Sequence, residues 1–166
     1  MLNESRIGFV EVLNEMNCLI SKSNESIHNG EKVGNLTISS SNLKAIEIES
    51  ETIPSIIDEV PVLAVVAAFA NGTTVFKNVE ELKYKECDRL NAIIHNLGAF
   101  GIKAYEKNND LFVEGGSVKK MPKITTFDDH RIAMAFTILS LTSFEKYELD
   151  NIPVSYTHLT LPTMQV

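Results

Sequence analysis

The chain has 166 residues, of which 44% are hydrophobic and 22% charged, a composition that builds a packed core and excludes a disordered tail or a coiled coil. Fifteen Lys and Arg against 22 Asp and Glu leave a formal net charge of −7, which disfavours nonspecific nucleic-acid binding. A few basic residues focused in a cleft still suffice for a small anion. Cys18 and Cys87 stand far apart, with neither a CxxC pair nor a zinc-type His partner, so neither a disulfide scaffold nor a metal site is expected. The longest apolar run, residues 60–70, is too short to cross a bilayer, and residues 1–6 lack a signal-peptide pattern. The expected compartment is the cytoplasm, with neither membrane nor nucleic acid as partner.

In chain order, Ile7, Val10, Leu13 and Met16 recur at three-residue steps and predict a short amphipathic helix with Ser5 as N-cap. Stretches 19–20, 33–39 and 45–49 read as strands separated by polar turns. Pro54 opens an apolar helix that runs to residue 70, with Pro61 near its true start if Asp58 is the cap. A strand at 73–76, a helix at 84–100, strands at 102–105, 111–114 and 123–127, and an apolar helix at 130–141 follow. Gly98 and Gly101 punctuate the end of the 84–100 helix.

Laying the helix that ends at Met16-Asn17 on the one that ends at Leu97-Gly98 aligns the helix after Asp58 with the helix after Asp128-Asp129. Two copies of one unit result, each a helix, two or three strands and an acid-capped buried helix. Side by side they make an α+β fold with helices inside and sheet outside, because the helices at Val60 and Ile132 are apolar nearly all round. Met121 and Met134 read as packing.

Three polar clusters could carry chemistry. In Glu81-Leu82-Lys83-Tyr84-Lys85-Glu86-Cys87-Asp88-Arg89, Lys85 and Arg89 lie four apart at a predicted helix start, where two cations and free backbone N–H groups suit a phosphate or carboxylate. Ordinary helix pairs, Glu81 with Lys85 or Glu86 with Arg89, account for the same spacing. Asp128-Asp129-His130-Arg131 opens a buried helix. One Asp can cap it, and Arg131 in its first turn needs a partner carboxylate or an anionic ligand. Asp58, between apolar neighbours, is placed to serve as a general base, or more simply as a helix cap.

These segments, together with Asp58-Glu59-Val60-Pro61-Val62-Leu63-Ala64 and Ala67-Ala68-Phe69-Ala70-Asn71-Gly72-Thr73-Thr74, resemble in order and spacing the EPSP synthase (3-phosphoshikimate 1-carboxyvinyltransferase) family. The resemblance implies repeated βαβαββ units and transfer of the enolpyruvyl group of phosphoenolpyruvate to the 5-hydroxyl of 3-phosphoshikimate, in chorismate and aromatic amino acid biosynthesis. It implies addition and elimination without metal or organic cofactor, in an enzyme that is monomeric at full length. Carried over by motif, Lys85 and Asp58 bind 3-phosphoshikimate, while Arg89 and Arg131 hold phosphoenolpyruvate. Asp58 is the acid/base on the hydroxyl, Glu86 protonates the enol carbon, and His130 supports the site. Arg6 matches a family Arg without a role.

The likeness covers the C-terminal third to two-fifths of the family's chain, so residues 1–153 are expected to be part of a C-terminal domain that lacks its N-terminal partner and is inactive alone. Residues 154–166 depart from the family pattern and resemble a translated cloning adaptor. Two alternatives stand beside the enzyme reading. One is the sister transferase acting on a UDP-sugar, which lacks the Lys85-Glu86-Cys87-Asp88-Arg89 string. The other is a non-catalytic anion-binding module, which has no need for two carboxylates among its cations.

Overall fold

The computed structural model describes residue 2 and residues 7–119, 122–142 and 148–151. Ser5, Arg6, Met121 and the suspected adaptor at 154–166 lie outside them. In order come α1 (Gly8–Glu15), β1 (Leu19–His28), β2 (Glu31–Ser39), β3 (Glu47–Ile48), α2 (Ile53–Ile56), α3 (Val60–Ala67) and β4 (Thr73–Phe76). A 3-10 turn at Glu80–Tyr84 leads to α4 (Arg89–Ala99), β5 (Ala104–Lys107), β6 (Asp110–Glu114), β7 (Lys123–Ile124), α5 (His130–Ser140) and β8 (Glu148–Leu149).

The predicted helix from Pro54 to residue 70 is two helices. Pro61 has no N–H, and its ring excludes the carbonyl of Ile57 from a continuous helix, so α2 ends at Ile56 and α3 starts anew at Val60. The N-cap of α3 is Glu59, with no side-chain capping bond, so Asp58 is not the cap. Nor does the next helix begin at Tyr84. Asp88 caps α4 by accepting from the Asn91 amide at 3.0 Å, and Lys85 is extended, outside the helix.

The two-unit reading is visible in the topology. Each unit runs helix, hairpin, strand, helix, strand: α1, β1–β2, β3, α2–α3, β4, then α4, β5–β6, β7, α5, β8. In each, the strands flanking the second helix pair in parallel, β3 with β4 and β7 with β8. Even the helix ends match. The Cys18 amide donates to the Leu13 carbonyl and Asn17 to Asn14, with Asn17 left-handed at φ 68°. Likewise Ile102 donates to Leu97 and Gly101 to Gly98, with Gly101 at φ 85°. This is the same six-to-one, five-to-two stop in both copies. Asn17 therefore corresponds to Gly101, three residues beyond the Gly98 predicted.

The larger sheet has the order β3-β4-β6-β5. Leu111 and Val113 of β6 turn into the core, while Phe112 stacks on Tyr105 across the outer face at 5.0 Å. Inside, Leu63, Leu90, Ile93, Leu97, Phe136 and Leu139 bring α3, α4 and α5 together, with Phe100 stacked on Phe136 at 6.0 Å. The fold is α+β, with helices against the inner face of a sheet. The α5 helix is not buried all round, however. Met134, Ile138 and Leu141 lie exposed, so Met134 is not core packing. No helix among the described residues is long and apolar enough to cross a membrane.

One close approach joins the sheet to α3. The Gly115 amide donates to Gly72 O at 2.8 Å and the Gly116 amide to Ala68 O at 2.9 Å, and a Cβ on Gly115 would overlap the Ala70 carbonyl oxygen. Gly115→Ala is expected to destabilise the chain by about 3 kcal/mol or more, the scale of a severe backbone clash. Gly98→Ala, on the exposed face of α4 with nothing within 4 Å, is expected to stabilise it by roughly 0.5–1 kcal/mol. Urea unfolding curves of the two variants check both signs.

Candidate active site

Three helix starts meet in one place. Asp58 precedes α3, Arg89 is the first residue of α4, and Asp129 caps α5. Unpaired backbone N–H groups there add positive potential to the side chains. The Asp129 segment is held from two sides. The Asn96 carboxamide on α4 donates to Thr125 O at 2.8 Å and accepts from the Thr125 amide at 3.1 Å, a strand-like clip made by a side chain. Just past β8, Asp150 accepts from the Thr126 amide at 2.9 Å, and Asn151 donates to Asp128 Oδ1. Between these ties Phe127 and Asp128 both adopt left-handed φ values, 54° and 57°. That is a costly conformation for Phe, and here it reverses the chain so that Asp129 faces inward.

Arg89 is the hub. Its side chain is 1% exposed, and all three guanidinium nitrogens are engaged: Nε with Asp129 Oδ2 at 2.8 Å, Nη1 with Asp58 Oδ1 at 3.1 Å and Nη2 with Glu86 Oε2 at 2.5 Å. Arg131 reaches the other Asp58 oxygen, Nη2 to Oδ2 at 3.0 Å, and its Nη1 donates to the Asp58 carbonyl at 3.2 Å. Asp58 is thus gripped by both arginines, a pair of charge-assisted bonds stronger than the capping bond predicted for it. Three carboxylates face two guanidiniums, leaving the network one negative charge in excess.

Of the predicted residues, Asp58, Glu86, Arg89 and Arg131 are brought together and Lys85 is not. Its ammonium pairs with Glu81, the i,i+4 surface pairing weighed against the anion clamp. The side chain of His130, half-buried at the start of α5, makes no hydrogen bond or ion pair among the described residues. Asp129 was placed in the sequence only as one candidate cap among four ionisable residues. The structure makes it the fully buried partner of Arg89, a role legible in hindsight from a second cation four residues past Lys85 that needed a buried counter-charge. Beside the network, a groove of about 190 Å3 between α3 and α5 is lined by Asp58, Pro61, Val62, Arg131, Met134 and Ile138. No group of three His, Cys, Asp or Glu among the described residues is arranged to hold a metal ion.

Burial by itself would push the Asp129 carboxyl up. The hydrogen bonds from Arg89 and from the Arg131 and Ile132 amides outweigh it and hold the group below the ordinary Asp value. Burial, with Asp129 nearby, pushes the Cys87 thiol up to about 12, so Cys87 stays protonated and is no nucleophile at neutral pH.

The family model described as EPSP synthase (3-phosphoshikimate 1-carboxyvinyltransferase) matches residues 2–162. The chain belongs to the EPSP synthase family. It is 43% identical over 153 residues to a 3-phosphoshikimate 1-carboxyvinyltransferase of Clostridium tetani, and 41% identical over 151 residues to one of Oceanobacillus iheyensis. Each match covers 91% of this chain and 35% of the relative, so the chain spans about a third of the length of the curated EPSP synthases it matches. A solved EPSP synthase of Acinetobacter baumannii superposes with a TM-score of 0.81 at 32% identity, over 89% of this chain and 35% of that one.

Because Asp129 is depressed in the folded state, its contribution is fully present above the ordinary Asp value of about 4 and is lost as pH falls through its lower folded value. Arg89→Met leaves that carboxylate buried and unpaired, and is expected to cost roughly 3–5 kcal/mol at pH 7 and progressively less as pH falls through the lower folded value of Asp129, where the carboxyl protonates in the wild type as well. Glu86→Gln, at a side chain 53% exposed, is expected to cost under about 1 kcal/mol. Urea unfolding at pH 7 and pH 3 measures all of these.

Proposed function

We propose that this chain supplies one face of an enolpyruvyl transferase site that moves the 1-carboxyvinyl group of phosphoenolpyruvate to the 5-hydroxyl of 3-phosphoshikimate. The observation that carries the reading is the joining of two carboxylates, Asp58 and Glu86, to the guanidinium of Arg89, with Arg131 on the same Asp58, in a chain of this family. A site built only to hold an anion gains nothing from carboxylates on its cations, whereas proton chemistry beside an anion needs both.

In this reading Arg89 and Arg131 take the phosphate and carboxylate of phosphoenolpyruvate, planar forks matching planar or tetrahedral anions. Asp58 receives the proton of the 5-hydroxyl as its oxygen bonds to C2, and Glu86 delivers a proton to C3, turning the methylene into a methyl. Elimination returns the C3 proton to Glu86 and breaks the C2–O bond to phosphate, and the proton taken up by Asp58 leaves with the phosphate. His130 adds to the binding surface beside Arg131. Lys85 leaves Glu81 to meet the phosphate of 3-phosphoshikimate. Residues 1–153 act as part of a C-terminal domain, and groups outside this chain complete the site. The chain alone therefore gives no turnover.

Isothermal titration with 3-phosphoshikimate, with and without phosphoenolpyruvate, tests the reading. Lys85→Ala is expected to weaken binding at least tenfold, as loss of a charge-assisted hydrogen bond does, and Glu81→Gln, which releases Lys85, to strengthen it. Equal affinities in all three proteins would mean that Lys85 is only a surface partner of Glu81. Phosphate release from both substrates by the isolated chain would overturn the claim that the site is shared.

A further inference from the structure

We infer that Asp129 is a positioning residue that fixes Arg89 through Nε, so that an incoming anion exchanges with Asp58 and Glu86 at the two Nη atoms while Asp129 never lets go. The inference rests on the proposed anion-binding role of Arg89 and adds how the site changes partners. The three carboxylates on Arg89 are not equivalent. Asp129 is 0% exposed, whereas the side chains of Asp58 and Glu86 are 36% and 53% exposed and can return to water at little cost. Asp129 is also tied elsewhere. Its Oδ1 accepts from the Arg131 amide at 2.8 Å and the Ile132 amide at 3.4 Å, and Cys87 Sγ lies 3.7 Å from Oδ2. Turning it away from Arg89 would uncap α5 and leave a buried charge without its cation.

The consequence is geometric. Anchoring Nε sets the plane of the guanidinium and leaves the Nη1–Nη2 fork facing the site. The same carboxylate, by capping α5, sets the first turn from which Arg131 reaches Asp58. Both arginines grip one carboxylate, each by a different oxygen, so a phosphate or carboxylate that takes the place of Asp58 meets two cations already aimed at it. The swap releases Asp58 and Glu86 only when the anion has arrived.

The test is 1H–15N NMR of the arginine side chains of the whole chain, titrated with inorganic phosphate and with phosphoenolpyruvate. The Arg89 Nε–Hε signal is expected to be slowly exchanging without ligand and to persist at saturation, while the Nη signals of Arg89 and Arg131 shift. An Hε signal that is lost or shifts along with the Nη signals overturns the anchor. Asp129→Asn keeps a capping side chain, and is expected to speed Hε exchange at least tenfold while the α5 amides stay protected. Unchanged Hε exchange in that variant also overturns it. Asp58→Asn and Glu86→Gln are expected to leave Hε exchange slow. The ligand titration needs no variant, so it decides the matter even if Asp129→Asn fails to fold. If neither anion moves either arginine, the substrate reading fails and the exchange with it, while Hε exchange in the free chain still decides whether Asp129 is the anchor.

Discussion

A buried ion pair organises this molecule. Arg89 and Asp129 are both almost wholly removed from water, and each is tolerable there only because the other is present. The pair joins the first residue of α4 to the cap of α5, so the starts of two core helices are pinned at one point. Such a pair adds little net stability compared with apolar packing, but it is specific: a shifted α5 would break it and expose two charges to the core. The positions of Asp58, Glu86 and Arg131 follow from that point outward.

Much of this was legible in the residues. Helices with a strong apolar pattern, α1, α3, α4 and α5, fall where periodicity puts them, because burial of one face dictates both the element and its phase. The boundaries that failed did so for local reasons. Pro61 divides an apolar run that hydrophobicity alone reads as continuous, and Asp88 offers a better cap than anything near Tyr84. The β1–β2 hairpin extends well beyond the stretches predicted, since residues 21–32 are polar except for the exposed Ile27 and carry no alternation to read.

For the site, the motif residues and the local Glu86–Arg89 pair were legible from spacing, but the other pairings were not. How Asp58 and Asp129 meet the arginines depends on contacts 31 to 73 residues apart in sequence, and no spacing rule reaches that far. Asp58 looked like a cap because caps are common; two guanidiniums competing for it are a tertiary fact. Lys85 shows the reverse case, where the local pairing with Glu81 that spacing suggests is the one the free chain adopts. The duplicated architecture was easier, since a repeat needs only the order of elements, and its equivalence of Asn17 with Gly101 emerges once the hydrogen bonds are compared.

The clip formed by Asn96 bears on how this face can move. Because one side chain supplies both donor and acceptor to Thr125, α4 and the segment leading to Asp129 behave as a single splinted unit, with Asp150 bracing the far side. A splinted frame has no hinge between its two charged ends. Adjustment to a ligand must then come from rotation of the exposed carboxylate side chains, motions of nanoseconds rather than the microseconds to milliseconds of a backbone closure. On this face of the molecule the exposed carboxylate side chains can turn while the scaffold beneath the arginines stays still.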